Sequence, residues 1–256
     1  PRARRICRDT ILDKFVALWD DGSAPKLTIE DDQLVFDAIK GGRGCVILCS
    51  HMGCTEALMH HGSAWGERPI IALVHTANTK RFNETIRRSG SLKNLTFMEV
   101  EKLRDPASVY ALDEAVENGA LVFIAGDRTP VHAVCPLHFL GREAWFPSGG
   151  VMLANLFHAP LLTMTSWREE SATLMHPNRP SRYHVRFRLL SGRVSLPRKN
   201  RQEAAAELLQ GYVDELEHAL RESPMDWFNF YDFWRRPGVT EDRADNDTDH
   251  NKNNQA

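Results

Sequence analysis

The chain has 256 residues, of which 42% are hydrophobic and 26% charged, the makeup of an ordinary soluble globular protein with enough apolar material for a substantial core. A net charge of −2 excludes the strongly basic profile of many nucleic-acid binders, and no nucleic-acid partner is expected. No apolar run approaches the roughly 20 residues of a membrane span, and no secretory signal is visible.

Residues 1–8 carry four arginines and no acid, a solvated end or one that rests on anionic lipid headgroups. The first residue is Pro1 and not Met, which leaves room for an upstream segment. Ile11, Phe15, Val16 and Leu18 mark an amphipathic helix reaching Trp19. After Pro25 and Lys26 a second helix is expected, capped by Thr28 and carrying Leu34, Val35, Ala38 and Ile39. A glycine-rich turn over 41–44 then opens an apolar run over 45–49, long enough for one buried strand and too short for a helix. Ser50 and His51 follow, and the spacing from Gly53 predicts a helix ending near Trp65.

Strands are expected over 69–74 and 96–100, with an exposed helix over 78–88 between them. Pro106 suits the first turn of a helix whose apolar face is Val109, Leu112 and Val116, ended by Gly119. Residues 120–125 form the most hydrophobic strand, with Gly126, Asp127 and Arg128 at its end. Residues 135–146 alternate around Gly141 and Arg142, the pattern of a hairpin. Ser148 is placed to cap a helix through Phe157, and another strand is expected over 161–167. Residues 179–201 hold eight Lys and Arg and no acid, with Arg182, His184, Arg186 and Arg188 alternating with apolar residues on one strand. Residues 202–221 form a helix with Leu209, Tyr212, Val213, Leu216 and Leu220 in one stripe, and the aromatic 224–234 predicts a helix docked on the core. From Val239 acids and asparagines dominate, so the expected organisation is one domain over 1–238 and a disordered acidic tail over 239–256. The alternation of short apolar strands with helices predicts an α/β fold: a mostly parallel sheet with helices on both faces.

The strand over 45–49 puts His51 at the carboxyl end of a parallel strand, where open α/β sheets place their ligands. Glu56, in the expected first helical turn, is favoured as an anion by the helix N-terminus and is placed to hold the imidazole in one tautomer. His with an orienting carboxylate is the minimum equipment for taking a proton from a hydroxyl. His-x4-Glu is weak by itself, since His138 and Glu143 repeat it beside the hairpin turn, and a structural histidine at a strand end is the other reading of His51. The five cysteines (Cys7, Cys45, Cys49, Cys54 and Cys135) are odd in number and read as reduced thiols of a cytosolic protein rather than metal ligands.

Five blocks, taken in order, resemble one family. Ser50-His51-Met52-Gly53-Cys54-Thr55-Glu56 resembles the His-x4-Asp/Glu block of the lysophospholipid acyltransferase superfamily. Gly126-Asp127-Arg128 resembles the second block of its lipid A late acyltransferase branch, the run from Phe139 to Gly150 the third, and Ala159-Pro160-Leu161-Leu162 the fourth. Pro224-Met225-Asp226-Trp227 is similar to a Pro-x-x-Trp near the C-terminus of that branch, and the nearest likeness is to bacterial acyltransferases encoded with glycosyltransferases or aryl-polyene-type enzymes. The match spans Gly41 to Trp234. Two departures stand out: Phe146-Pro147-Ser148-Gly149-Gly150 lacks the Glu and Arg of the glycerolipid members, and the hydrophobic anchor of the lipid A enzymes is not in this sequence.

The resemblance implies a glycerol-3-phosphate/lipid A acyltransferase-like fold and an O- or N-acyltransferase. The donor would be a thioester of acyl carrier protein or coenzyme A, with no other cofactor and no metal. The acceptor would be a lipid or glycolipid-type hydroxyl or amine, met in the cytoplasm with peripheral contact at the inner membrane. His51 would be the general base and Glu56 its orienting partner, worth ~10²–10⁴ in rate. Amides at Gly53, or at Gly149 and Gly150, would supply oxyanion donors. Asp127, Arg128, Ser148, Gly149 and Gly150 would bind substrate, although an ion pair of Arg128 with Asp127 or Glu143 is as good an account of that residue. A thioesterase acting on the same donor, or a non-catalytic module binding acyl carrier protein or lipid through the basic strand, are the alternatives.

Overall fold

The computed structural model describes residues 2–17, 25–58, 68–75, 94–128, 134–169, 181–229 and 232–235. In chain order the described elements are α1 (Arg2–Val16), β1 (Lys26–Glu30), α2 (Gln33–Ile39), β2 (Cys45–Cys49), β3 (Ile70–Val74), β4 (Leu95–Glu99), α3 (Pro106–Glu117) and β5 (Leu121–Ala125). They continue with β6 (Val134–Phe139), β7 (Arg142–Pro147), α4 (Gly149–Leu156), β8 (Leu161–Arg168), β9 (Arg182–Ser191) and α5 (Arg201–Glu222). Seven strands form one sheet in the order β1-β9-β8-β2-β5-β3-β4, parallel throughout except for the β8–β9 pair. The antiparallel hairpin β6–β7 stands apart from it.

The central strands are apolar on both faces because both faces are covered. On β2, Val46 and Leu48 join one buried cluster with α3, α4, α5 and the hairpin, while Cys45 and Ile47 join a second with α2, β8 and β9. The long α5 lays Leu209, Tyr212, Val213 and Leu216 into the first cluster, as its apolar stripe requires. Asp105 caps α3 by accepting from the amides of Ala107 and Ser108 at 3.2 Å each, with Pro106 in the first turn. All five cysteines are free thiols, and burial pushes those of Cys45, Cys49 and Cys54 up to about 12, so they stay protonated.

The fold departs from the sequence expectations at three places. Thr28 is no helix cap: Lys26–Glu30 is a strand paired in parallel with β9, with Leu27 and Ile29 on the second cluster, and the helix begins only at Gln33. A five-residue alternating segment lacked its deciding neighbour in the sequence, since β9 lies more than 150 residues away. Ser148 makes no side-chain cap bond, because its backbone is already in the helical region and not in the extended one from which a hydroxyl reaches back to the first free amides. In the aromatic segment after Pro224, the described residues 225–229 and 232–235 are turns, extended chain and one isolated bridge, Met52 to Trp227, rather than a helix. The expected helix over 78–88 and the tail over 239–256 lie outside the described residues.

The close approach of β2 to β5 begins at Gly44. A Cβ there would lie 1.8 Å from the carbonyl oxygen of Ala120, whereas at Gly41, in the same turn, nothing lies within 4 Å. Gly44→Ala should cost about 1–3 kcal/mol by forcing backbone apart, and Gly41→Ala almost nothing. Thermal unfolding followed by circular dichroism checks this: equal midpoints for the two variants would contradict the contact.

Candidate functional site

The parallel pairing of β2 with β5 aligns Cys49 with Ala125. Two residues beyond each strand end stand His51 and Asp127, so the shared register brings them side by side at the carboxyl edge of the sheet. The junction is held tightly. The Gly126 amide donates to the Cys49 carbonyl at 2.8 Å, and Tyr212 Oη donates to that same carbonyl at 3.0 Å. Only glycine fits at 126, because a Cβ would meet the Tyr212 ring at 2.8 Å.

Asp127 has no exposed surface, yet its carboxylate is richly supplied with donors. Oδ1 accepts from His51 Nδ1 at 2.7 Å; Oδ2 accepts from the His51 amide at 2.7 Å and from Trp227 Nε1 at 2.9 Å. Burial alone would raise its pKa, but the His51 bond and charge, the indole N–H and the His51 amide together hold it below the ordinary carboxylate value. An ionised Asp127 can only accept, so Nδ1 must carry the proton and Nε2 is left as the basic nitrogen. The His51 side chain is 33% exposed, although its Nδ1 edge is turned to a carboxylate with no exposed surface.

Glu56 is not the partner of the ring, as the sequence suggested. Its Oε2 accepts from Lys14 Nζ of α1 at 2.6 Å and from Thr55 Oγ1 at 3.3 Å. The reason is the path of the chain. Gly53 adopts a left-handed φ of 65° and packs on Ser166 of β8, where a Cβ would lie 2.6 Å from the Ser166 carbonyl oxygen. Helical backbone begins only at Ala57, so Glu56 sits before the helix and turns toward α1. Burial disfavours the Lys14 ammonium, but the Glu56 charge, the nearby Cys54 and the hydrogen bond to Glu56 together outweigh it and raise the Lys14 pKa.

Of the oxyanion candidates, the Gly53 amide already donates to the Asp226 carbonyl at 3.0 Å and is not open to a substrate. Gly149 and Gly150 stand at the N-terminus of α4, where amides have no acceptor within the helix. Since α4 leads into β8, which is parallel to β2, this terminus lies at the same end of the sheet as His51. Gly150 is pressed on Leu48 and Ile124, while the position at Gly149 is open. Ser148 is buried beside Cys135. Arg128 is exposed and donates to the Phe228 carbonyl at 3.3 Å; Asp127 turns inward, and Glu143 faces His138 across the hairpin. That second pair is held at the backbone by Gln210 of α5, which bonds both the amide and the carbonyl of His138. Trp227 was legible only as part of a Pro-x-x-Trp block; its indole donor role needs the return of the chain to the site.

The expected basic surface of β9 is neutralised within the protein. His184 meets Glu30 at 3.0 Å, Arg186 lies between Glu30 and Glu215, Arg188 pairs with Asp31 at 2.9 Å, and Arg182 with Glu169 at 3.4 Å. The acids come from β1, the turn after it, α5 and the residue after β8, all of them outside the basic run itself. Among the described residues no helix is long and apolar enough to cross a membrane, and no group of three or more His, Cys, Asp or Glu side chains is gathered to hold a metal ion.

No protein-family model matches the chain, and no curated protein matches it either. Among solved structures it is similar to the crystal structure of the 1-acyl-sn-glycerophosphate (LPA) acyltransferase PlsC from Thermotoga maritima. The identity is 17%, over 83% of this chain and 79% of that one, with a TM-score of 0.40.

The lowered pKa of Asp127 makes stability depend on pH in a defined direction. A group depressed in the folded state stabilises above its unfolded pKa, about 3.9, and that contribution is lost as the pH falls through the folded value. Asp127→Asn should therefore be less stable than the wild type at pH 7, and the gap should narrow below about pH 4. Urea unfolding at the two pH values measures it; a gap that widens in acid would contradict an ionised Asp127.

Proposed function

We propose that the protein is an acyltransferase that moves a fatty-acyl group from a thioester donor, acyl carrier protein or coenzyme A, to a hydroxyl or amine of a lipid or glycolipid-type acceptor. The observation that carries this reading is the His51–Asp127 dyad: a one-third exposed imidazole whose proton is fixed on Nδ1 by a buried carboxylate. The five ordered blocks from Gly41 to Trp234 favour acyl transfer among the reactions a His base can serve.

In this mechanism His51 Nε2 takes the proton of the acceptor O–H or N–H as that atom attacks the thioester carbonyl. Asp127 stabilises the imidazolium that forms and prevents the ring from turning. The carbonyl oxygen becomes an oxyanion, and the amides at Gly149 and Gly150 are the donors suited to it, with the partial positive end of α4 behind them. Collapse of the tetrahedral intermediate breaks the carbon–sulfur bond. The thiolate leaves with the proton from Nε2, which restores the base. Arg128, exposed at the rim beyond Asp127, is suited to an anionic group of donor or acceptor. Glu56 serves in this scheme as the anchor of α1 through Lys14 and takes no part in the proton transfer.

Purified protein incubated with acyl-coenzyme A or acyl-acyl carrier protein and candidate acceptors, with products read by mass spectrometry, tests the reading. His51→Ala should abolish transfer, and Asp127→Asn should lower it by at least about 10²-fold. Glu56→Gln should keep most activity while lowering thermal stability. Folded His51→Ala that transfers acyl groups at the wild-type rate would remove the assignment, and an Asp127→Asn milder than Glu56→Gln would return the orienting role to Glu56. Release of free fatty acid at the same rate with and without acceptor would mark a thioesterase.

A further inference from the structure

We propose that Trp227 is a positioning residue for His51, acting through Asp127, and that the segment 226–228 is the strap that holds it there. The inference rests on His51 being the base. The side chain and the main chain of this segment reach the site independently. The indole N–H donates to Asp127 Oδ2 at 2.9 Å. The main chain runs antiparallel to the loop that carries His51: the Phe228 amide donates to the His51 carbonyl, and the Gly53 amide to the Asp226 carbonyl, each at 3.0 Å.

The strap is itself fixed at both flanks. On one side the Asp226 carboxylate accepts from the Arg168 amide at 2.6 Å and from Ser223 Oγ at 3.0 Å. On the other, the Trp227 ring stands edge-on to Phe139 at 5.5 Å and to Phe233 at 4.9 Å between centroids, and both of those rings also pack on Phe146. These contacts set the indole plane, and with it the direction of the N–H.

The consequence concerns the carboxylate. Oδ2 receives two donors and Oδ1 receives the imidazole, so each oxygen has a fixed task. With the indole donor gone, Oδ2 loses one of the donors that hold it in place. The carboxylate can then rotate about its Cβ–Cγ bond and share Nδ1–H between its oxygens, and Nε2 loses its fixed aim at the acceptor. Misplacement of that order lowers turnover without touching substrate contacts.

Two measurements on Trp227→Phe test the proposal. In acyl transfer, kcat should fall by up to about 10²-fold while KM stays within about threefold. In proton NMR of the ¹⁵N-labelled protein, the downfield His51 Nδ1–H resonance should weaken and exchange faster than in the wild type. An unchanged resonance overturns the proposal whatever reaction the protein catalyses. A weakened resonance with unchanged kcat supports the hold of Trp227 on the ring and overturns instead the reading of His51 as the base. If Trp227→Phe does not fold, the wild-type protein decides: a Trp227 indole N–H protected from exchange supports the bond to Asp127, and one that exchanges as fast as a free indole overturns it.

Discussion

A carboxylate with no exposed surface keeps its charge only if the protein supplies the donors that water would have given. Asp127 obtains them from two distant segments: the imidazole and amide of His51, 76 residues earlier, and the indole of Trp227, 100 residues later. Most features of the site follow from that requirement. β5 must lie beside β2, in register, so that the residues two beyond each strand end meet. The chain must also return after α5 to bring Trp227 back to the sheet. A strand order that separated β2 from β5 would leave the same residues on the surface as unrelated polar groups.

A second buried charge ties the N-terminal helix to this arrangement. The Arg168 guanidinium donates to Asp13 at 2.7 Å, Thr10 at 2.8 Å, Ser181 at 3.1 Å and Tyr183 at 2.6 Å, and it stacks on the Tyr183 ring. Such a pair is costly to bury and gives little net stability, but its bonds to Thr10 and Asp13 hold α1 where it lies. That placement brings Lys14, one turn after Thr10 on the same helix, to Glu56. The Arg168 amide in turn binds the Asp226 carboxylate, so the anchor of α1 and the strap over His51 share one residue.

Charge is used differently at the sheet edge. The basic side chains of β9 are answered by Glu30, Asp31, Glu169 and Glu215, with Glu30 within 4 Å of three of them. Partly exposed pairs of this kind are individually weak. As a network they let β1 add to the sheet in parallel next to a strand whose polar face is positive. A run of bases without an acid looked like a docking surface in one dimension. In three dimensions its counter-ions come from other elements.

The sequence by itself determined the local choices: which segments are apolar on two faces, where Gly119 ends a helix, that 135–146 is a hairpin, and that His51 stands at the mouth of a strand. Each of these is written within about a dozen residues, in side-chain periodicity and in the backbone preferences of Gly and Pro. Only the tertiary structure decided the partners. Glu56 was the nearest carboxylate in sequence, but the left-handed turn at Gly53 carried it to Lys14. Asp127 took its place because strand order, not sequence distance, sets which loops are neighbours. The same holds for Lys26–Glu30, which became a strand when β9 offered an edge, and for Trp227, whose function depends on a bridge to Met52. Hydrogen bonds and ion pairs join groups a few ångströms apart in space, and a parallel sheet makes neighbours of residues that lie scores of positions apart along the chain.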